Sequence, residues 1–142
     1  MQPALFDSSI YITALRRGDD AALALRRFTT NAPLWLSALV LEELYAGAVD
    51  RDRQVVERLE RDFDRAKRIL VPNLSDWTQA GRVLARLAAK YRYKKIGRGR
   101  LTNDALIAMS AGRLGIRVIT ANQRAFRRLA ELRAFQWQVA VL

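Results

Sequence analysis

Several residues in this sequence have side chains that could bind a metal ion, and they stand where apolar runs begin or end. Asp7 closes a short apolar run, Asp104 opens a second one, and Asn122 follows a run rich in β-branched residues. Glu42 and Glu43 lie side by side within another apolar segment. Carboxylate oxygens are the ligands that hard cations such as Mg²⁺ prefer, so these residues are candidates for metal-assisted chemistry.

Each of these residues also has a simpler interpretation. An aspartate before a helix can act as its N-cap, which stabilises the helix by ~1 kcal/mol. Two serines follow Asp7, and Thr102 and Asn103 precede Asp104, so other capping groups are at hand. Asn122 suits an ordinary turn. Taken one at a time, these positions leave the capping and the functional interpretation open.

The adjacent glutamates predict a side chain that points towards a partly buried site. Neighbouring residues of a helix point ~100° apart, and the segment 38–48 that contains Glu42 and Glu43 offers little polar face. One glutamate can face solvent, and the other then cannot. Periodicity does not decide which of the two it is.

Acids that converge from separate segments need a cation or protons to stay together. Two carboxylates 4 Å apart repel by about 4 kcal/mol at an effective dielectric near 20, which exceeds what capping returns. The chain has no cysteine and no histidine, so zinc–thiolate sites, Ser-His-Asp triads and paired-histidine nuclease chemistry are excluded. Because only oxygen ligands remain available, the expected ion is Mg²⁺ or Mn²⁺.

The elements that must position these residues alternate between short strands and longer helices. The segment 74–91 is predicted as an amphipathic helix that packs Leu74 and Trp77 inward and turns Asp76 outward. Hairpin signals appear only in the tail, so the pattern predicts one α/β domain over residues 1–142, a mainly parallel central sheet flanked by helices. Sites in such folds lie at the carboxyl ends of the strands. The predicted strands are 4–7, 34–37 and 116–120, and the predicted helices are 8–17, 21–28, 38–48, 51–70, 74–91, 101–111 and 123–132.

The charge favours a polyanionic partner. The chain has 25 Lys plus Arg against 14 Asp plus Glu, a formal net charge of +11. Five of the cations fall in the segment 91–100, a predicted loop that leads into Asp104, where Tyr91 or Tyr93 could stack on a base. No apolar run reaches the ~18 residues of a membrane span, and no secretory signal begins the chain, which predicts a soluble, cytoplasmic protein.

Four motifs together resemble the PIN-domain ribonucleases, particularly VapC-like toxins, in order and spacing across essentially the whole chain. They are Asp7-Ser8-Ser9 after a short strand, Ser37-x5-Glu43-Leu44-x2-Gly47, Asn103-Asp104-Ala105-Leu106-Ile107-Ala108, and Val118-Ile119-Thr120-Ala121-Asn122 followed by Phe126.

The resemblance implies an acidic pocket that binds Mg²⁺ or Mn²⁺ and cleaves RNA. It assigns Asp7, Glu43 and Asp104 as metal ligands and catalytic acids, and so chooses Glu43 over Glu42. Asn122 falls where many relatives carry a fourth acid, so it is a fourth catalytic candidate, and its amide bears on whether a second metal binds. Further expectations are supporting hydroxyls at Ser8 and Thr120, a cognate antitoxin, a homodimer, and RNA contacts from Tyr93, Lys94, Lys95, Arg98 and Arg100.

Two other functions remain open on the residues alone. A basic, non-catalytic nucleic-acid-binding module would keep the acids as structural residues and use the basic loop for binding. A phosphoacceptor domain with Asp7 as the acceptor is weaker, because such sites need paired acids near the first strand and none precedes Asp7.

Overall fold

Parallel strands and the helices between them make up the chain. The computed structural model describes residues 2–18, 21–25, 32–92 and 100–140, which form five strands and seven helices. The strands are β1 (Ala4–Phe6), β2 (Leu34–Ser37), β3 (Ile69–Leu70), β4 (Arg117–Thr120) and β5 (Trp137–Val139). The helices are α1 (Ser8–Arg17), α2 (Ala21–Ala24), α3 (Ala38–Gly47), α4 (Asp50–Arg65), α5 (Leu74–Tyr91), α6 (Arg100–Arg113) and α7 (Gln123–Leu132).

The five strands form one sheet in the order β3-β2-β1-β4-β5, and every pair is parallel. The predicted α/β architecture with a parallel central sheet is therefore confirmed. The strand order changes direction between β1 and β4, where Phe6 is in register with Ile119. Open parallel sheets bind ligands beside such a reversal, at the carboxyl ends of the strands. Asp7 and Thr120 both stand at this place.

The core is built around β1, β4 and α6. Leu5, Phe6 and Val118 are almost completely buried in the sheet. In α6 the residues 105–108 are at most 1% exposed, as their continuous apolar sequence predicts. Because α6 is enclosed on several sides, a residue in its first turns is held at a fixed position relative to the sheet.

The segment 51–70, predicted as one helix, is a helix and a strand. α4 ends at Arg65, and Lys67 adopts a left-handed conformation with φ of 56°. Ile69 and Leu70 then pair with β2 as the edge strand β3. The apolar spacing continued through this break, so the prediction was wrong beyond Arg65.

The inward and outward faces predicted for the start of α5 are also corrected. Leu74 and Trp77 are 79% and 53% exposed, whereas Asp76 is 3% exposed. Arg113 Nε and Nη2 donate hydrogen bonds to Asp76 Oδ1 and Oδ2, each 2.9 Å long. These bonds raise the pKa of the Arg113 guanidinium. α5 and α6 run antiparallel, so the start of α5 lies beside the end of α6. The ion pair joins the two helices there.

The tail joins the sheet without a hairpin. β5 lies parallel to β4, and α7 provides the crossover between them. Of the helices formed by the described residues, none combines the length and the apolar character needed to cross a membrane.

Candidate active site

Asp7 lies at the end of β1 with its carboxylate buried and held by two hydroxyl groups. Its backbone N–H donates to the carbonyl of Ile119 at 3.0 Å, which ties it to β4. Ser9 Oγ donates to Oδ1 at 2.5 Å, and Thr120 Oγ1 donates to Oδ2 at 2.6 Å. Asp7 occupies the N-cap position of α1, but its side chain makes no capping hydrogen bond. The capping interpretation of this carboxylate is therefore wrong.

The same two hydroxyl groups connect Asp7 to the turn that follows β4. Ser9 Oγ accepts a hydrogen bond from Ala121 N at 3.1 Å, and Thr120 Oγ1 accepts one from Asn122 N at 2.8 Å. Each hydroxyl thus accepts from a backbone N–H and donates to one carboxylate oxygen. Hydrogen bonds in such a chain polarise one another, which strengthens the hold on an ionised Asp7.

Sequence reasoning placed Thr120 beside the site but treated Ser9 as a helix cap. α1 has no side-chain cap from either serine, because Ser9 bonds to Asp7 and Ser8 bonds elsewhere. A hydroxyl two residues after an acid at a strand end could have indicated this role. Capping is the commoner role of such a serine, so the hydrogen bond from Ser9 to Asp7 was not predicted.

Glu43 is the glutamate of α3 that faces the site. Its Oε2 accepts a 2.9 Å hydrogen bond from Ser8 Oγ, and its Oε1 accepts a 3.2 Å bond from Asn103 Nδ2. Glu42, one residue earlier, is exposed to solvent. The expectation that one glutamate of the pair points to a partly buried site is confirmed, and the structure identifies it as Glu43.

Asp104 is 2% exposed and lies in α6, four residues after the helix begins at Arg100. Thr102 and Asn103 are therefore helical residues and not caps, which corrects the capping role predicted for them. Asn103 bonds to Glu43 instead. The Thr102 hydroxyl is buried and has no hydrogen-bond partner among the residues that the structure describes.

These contacts bring the three acids to one edge of the sheet. Ser8 and Asn103 bond to Glu43, and they are the immediate neighbours of Asp7 and Asp104. α6 precedes β4, so its first turns stand at the carboxyl edge, where β1 also ends.

The three acids have the right ligand atoms for a hard cation, but their side chains are not arranged around a common point. Oxygen ligands from carboxylates are those of Mg²⁺ and Mn²⁺. Within the described ranges, no group of three acidic side chains is placed closely enough to hold a metal ion. The oxygen atoms of Asp7, Glu43 and Asp104 are of the type that binds Mg²⁺ or Mn²⁺. Their arrangement around an ion stays a prediction.

Asn122 lies at the N-cap position of α7, beside the Asp7 network. Its side chain makes no capping hydrogen bond to the helix, and its backbone is tied to Thr120. The residue is partly buried. Its backbone is therefore located at the edge of the acidic site, and its predicted catalytic role stays a prediction.

Most of the residues predicted to contact RNA cannot be placed. Tyr93, Lys94, Lys95 and Arg98 lie outside the described residues, and Arg100 is the first residue of α6. Tyr91 ends α5 and is already engaged. Its hydroxyl donates to Glu131 Oε2, and Arg128 Cζ lies 4.1 Å from the centre of its ring. The arginine covers one face of Tyr91, which argues against base stacking on that face.

Comparison with known proteins places this fold in a family. Residues 4–132 match the family model of the PIN domain. The match covers most of the chain, and the protein belongs to the PIN domain family. PIN domains are generally nucleases that use divalent metal ions.

Solved structures of similar fold include three VapBC complexes. Salmonella typhimurium VapBC bound to DNA is 21% identical, covering 98% of this chain and 98% of that chain, with a TM-score of 0.67. VapBC2 from Rickettsia felis, bound to a promoter DNA fragment, is 20% identical over 99% and 100%, with a TM-score of 0.67. VapBC-1 from nontypeable Haemophilus influenzae is 25% identical over 97% and 98%, with a TM-score of 0.63. A sequence search of the curated proteins found no match.

Proposed function

We propose that this protein is a metal-dependent endoribonuclease of the VapC type and the toxin of a toxin–antitoxin pair. The observation that carries the proposal is that Glu43 accepts hydrogen bonds from Ser8 and Asn103, the neighbours of Asp7 and Asp104, at the carboxyl edge of a PIN-family sheet. The net charge of +11 suits a nucleic-acid substrate. The motif resemblance favours RNA as that substrate.

The proposed catalytic residues have distinct tasks. Asp7, Glu43 and Asp104 would hold Mg²⁺ or Mn²⁺, which when bound lowers the pKa of a water molecule and neutralises charge on the scissile phosphate. Ser9 and Thr120 fix both oxygens of the Asp7 carboxylate, so this acid is oriented before any substrate arrives. Ser8 and Asn103 do the same for Glu43.

Asn122 differs from the three acids in what it can donate. An amide side chain offers N–H donors as well as an oxygen, whereas an ionised carboxylate only accepts hydrogen bonds. At the edge of the site, Asn122 can therefore bind a phosphate oxygen directly. A carboxylate there would repel the phosphate unless a cation stood between them.

Two partners belong to the proposal. Chains of VapBC complexes have this fold, which supports a cognate antitoxin as a partner. The motif resemblance adds that a tail of this antitoxin would block the acidic site. A basic side chain of that tail would neutralise the acids. Resemblance to VapC-like toxins also implies a homodimer. Co-purification with the product of a neighbouring small gene would test the first partner, and light scattering would test the second.

Metal-dependent cleavage of RNA is the decisive test. We expect the purified protein to cut single-stranded or looped RNA with Mn²⁺ and to stop when the metal is chelated. Asp7→Asn and Asp104→Asn should abolish cleavage while the circular dichroism spectrum stays that of the folded protein. Asp64→Asn, an exposed acid on α4, is the matched control and should cleave normally.

The same assay separates the nuclease from a binding module. A non-catalytic nucleic-acid-binding protein would bind RNA without cutting it, with or without metal. Equal cleavage by Asp104→Asn and the unmodified chain, or no cleavage by either, would refute the nuclease proposal.

A further inference from the structure

α7 carries its charges in the reverse of the order that stabilises a helix. Arg124 lies in its first turn, Arg127 and Arg128 lie near its middle, and its acid, Glu131, lies in the last turn. The helix dipole is positive at the N-terminus and negative at the C-terminus, so it disfavours both placements. An arrangement that costs stability needs a reason outside the helix.

The two outermost arginines contribute little to the packing of the described chain. Arg124 and Arg127 are exposed, and neither forms a hydrogen bond or a salt bridge with a described residue. Glu131 is engaged by other groups. Lys90 Nζ lies 2.7 Å from its Oε2, and the Tyr91 hydroxyl donates to the same oxygen. A hydrogen bond from Lys90 is the main cause that lowers the pKa of Glu131, and the charge of Arg127 adds a smaller effect. The surface thus keeps a positive charge.

These arginines begin at the acidic site. α7 follows Asn122 directly, Asn122 is bonded through its backbone to Thr120, and Thr120 is bonded to Asp7. Arg124 is two residues further along, in the first turn of the helix. Residues three apart on a helix have Cβ atoms about 5–6 Å apart, so Arg124 and Arg127 can reach successive phosphates of one strand.

We propose that Arg124 and Arg127 form an RNA-binding surface, which holds the phosphates next to the scissile one. The inference rests on the proposed nuclease function and names the substrate contacts of that site. The guanidinium group can donate two parallel N–H bonds to one phosphate. Because it is weakly hydrated, replacing its water by a phosphate oxygen is favourable. The unfavourable position of Arg124 in the first turn is explained because the field that opposes a cation also attracts an anion to the same place.

The test is the salt dependence of RNA binding, measured without divalent metal so that nothing is cleaved. The variant Arg124→Gln/Arg127→Gln is compared with the unmodified protein by fluorescence anisotropy on a short single-stranded RNA. Each lost phosphate contact reduces the slope of log affinity against log salt by about 0.7, so the double variant should lose about 1.4. When salt is lowered from 1 M to 0.1 M, the affinity of the unmodified protein should therefore rise roughly 25-fold more than that of the double variant.

A matched control separates these contacts from net charge. Arg58 and Arg61 are exposed on α4, and replacing both with glutamine removes the same charge. This control should keep the wild-type slope. The melting temperature of the α7 variant should stay close to that of the unmodified protein, because Arg124 opposes the helix dipole whereas Arg127 attracts Glu131. A merely structural role would lower it.

Four outcomes would overturn the proposal. They are an unchanged slope in the α7 variant, an equal loss in the α4 control, no RNA binding by the unmodified protein, and loss of binding to an oligoglutamate peptide while RNA binding is kept. The last would assign the surface to an acidic protein partner. Because binding is measured without metal, failure of the nuclease proposal is seen separately, as RNA that is bound but never cut.

Discussion

Thr120 Oγ1 donates a 2.6 Å hydrogen bond to Asp7 Oδ2 and so joins two residues 113 positions apart in the sequence. The bond spans the place where the strand order of the sheet reverses, between the ends of β1 and β4. Its partners are 0% and 2% exposed. The orientation of Asp7, the first proposed catalytic acid, therefore depends on a hydroxyl supplied by the last third of the chain.

Thr120→Val should destabilise the protein by about 1.5–3 kcal/mol, the usual contribution of a hydrogen bond to a charged group. Valine has the shape of threonine but leaves the buried Asp7 oxygen and the Asn122 N–H without this partner. Urea unfolding measures the free energy. Thr120→Ser keeps the hydroxyl and should lose less. A valine variant as stable as the unmodified protein would mean that the bond does not hold Asp7.

Glu43→Gln should remove cleavage activity, and Glu42→Gln should leave it unchanged. Glutamine keeps the volume of the side chain and can still accept a hydrogen bond from Ser8 through its amide oxygen, but it removes the negative charge of a proposed metal ligand. Thermal unfolding of both variants should lie close to that of the unmodified protein. Equal activity in the two variants would exclude Glu43 from the site.

Arg113→Met should lower the free energy of unfolding by roughly 2–3 kcal/mol, because it leaves the Asp76 carboxylate buried without its cation. Breaking a fully buried pair costs about 3–5 kcal/mol, and the Arg113 side chain is 34% exposed, which reduces the effect. Arg113→Lys should recover only part of the loss, since an ammonium group cannot reproduce the paired donors. Denaturant titration of the three proteins measures this order.

Tyr45 should ionise near pH 12 and not near pH 10. Burial raises the pKa of its phenol to about 12, and a hydrogen bond to Glu60 adds to the shift. Since the folded-state pKa is the higher one, the stabilisation is fully present below pH 10 and is lost as pH rises towards 12. Ultraviolet titration of the phenolate, compared with that of Tyr45→Phe, identifies this group. Glu60→Gln should move its titration to lower pH.

Where local signals were strong, the fold could be predicted from the sequence. The bounds of β2 and α7 agree with those predicted, because the strand follows a proline and the helix follows a turn residue. α4 was extended too far because its end carries no glycine or proline, and a left-handed Lys67 ends it instead. β3 has two residues and exists only through its pairing with β2, which no local pattern shows.

The sequence indicated which acids are candidates for the site, but it did not indicate the hydrogen bonds that hold them. Motif order indicated Asp7, Glu43 and Asp104, whereas composition could only say that Glu42 and Glu43 differ. The contacts of Asn103 with Glu43 and of Ser9 with Ala121 depend on segments brought together by folding, so sequence spacing assigned both side chains to helix capping. Asp76 was placed outward for the same reason, since its partner Arg113 is 37 residues away.

The ion pair of Asp76 and Arg113 joins α5 to α6 at the ends remote from Asp104. Packing along the two helices and this distal bond position α6, so the connection between the helices need not do so. Its length and sequence are therefore free to diversify while the acid stays in place. Under the proposed function, sequence changes in this connection would alter RNA binding without moving the proposed metal ligand on α6.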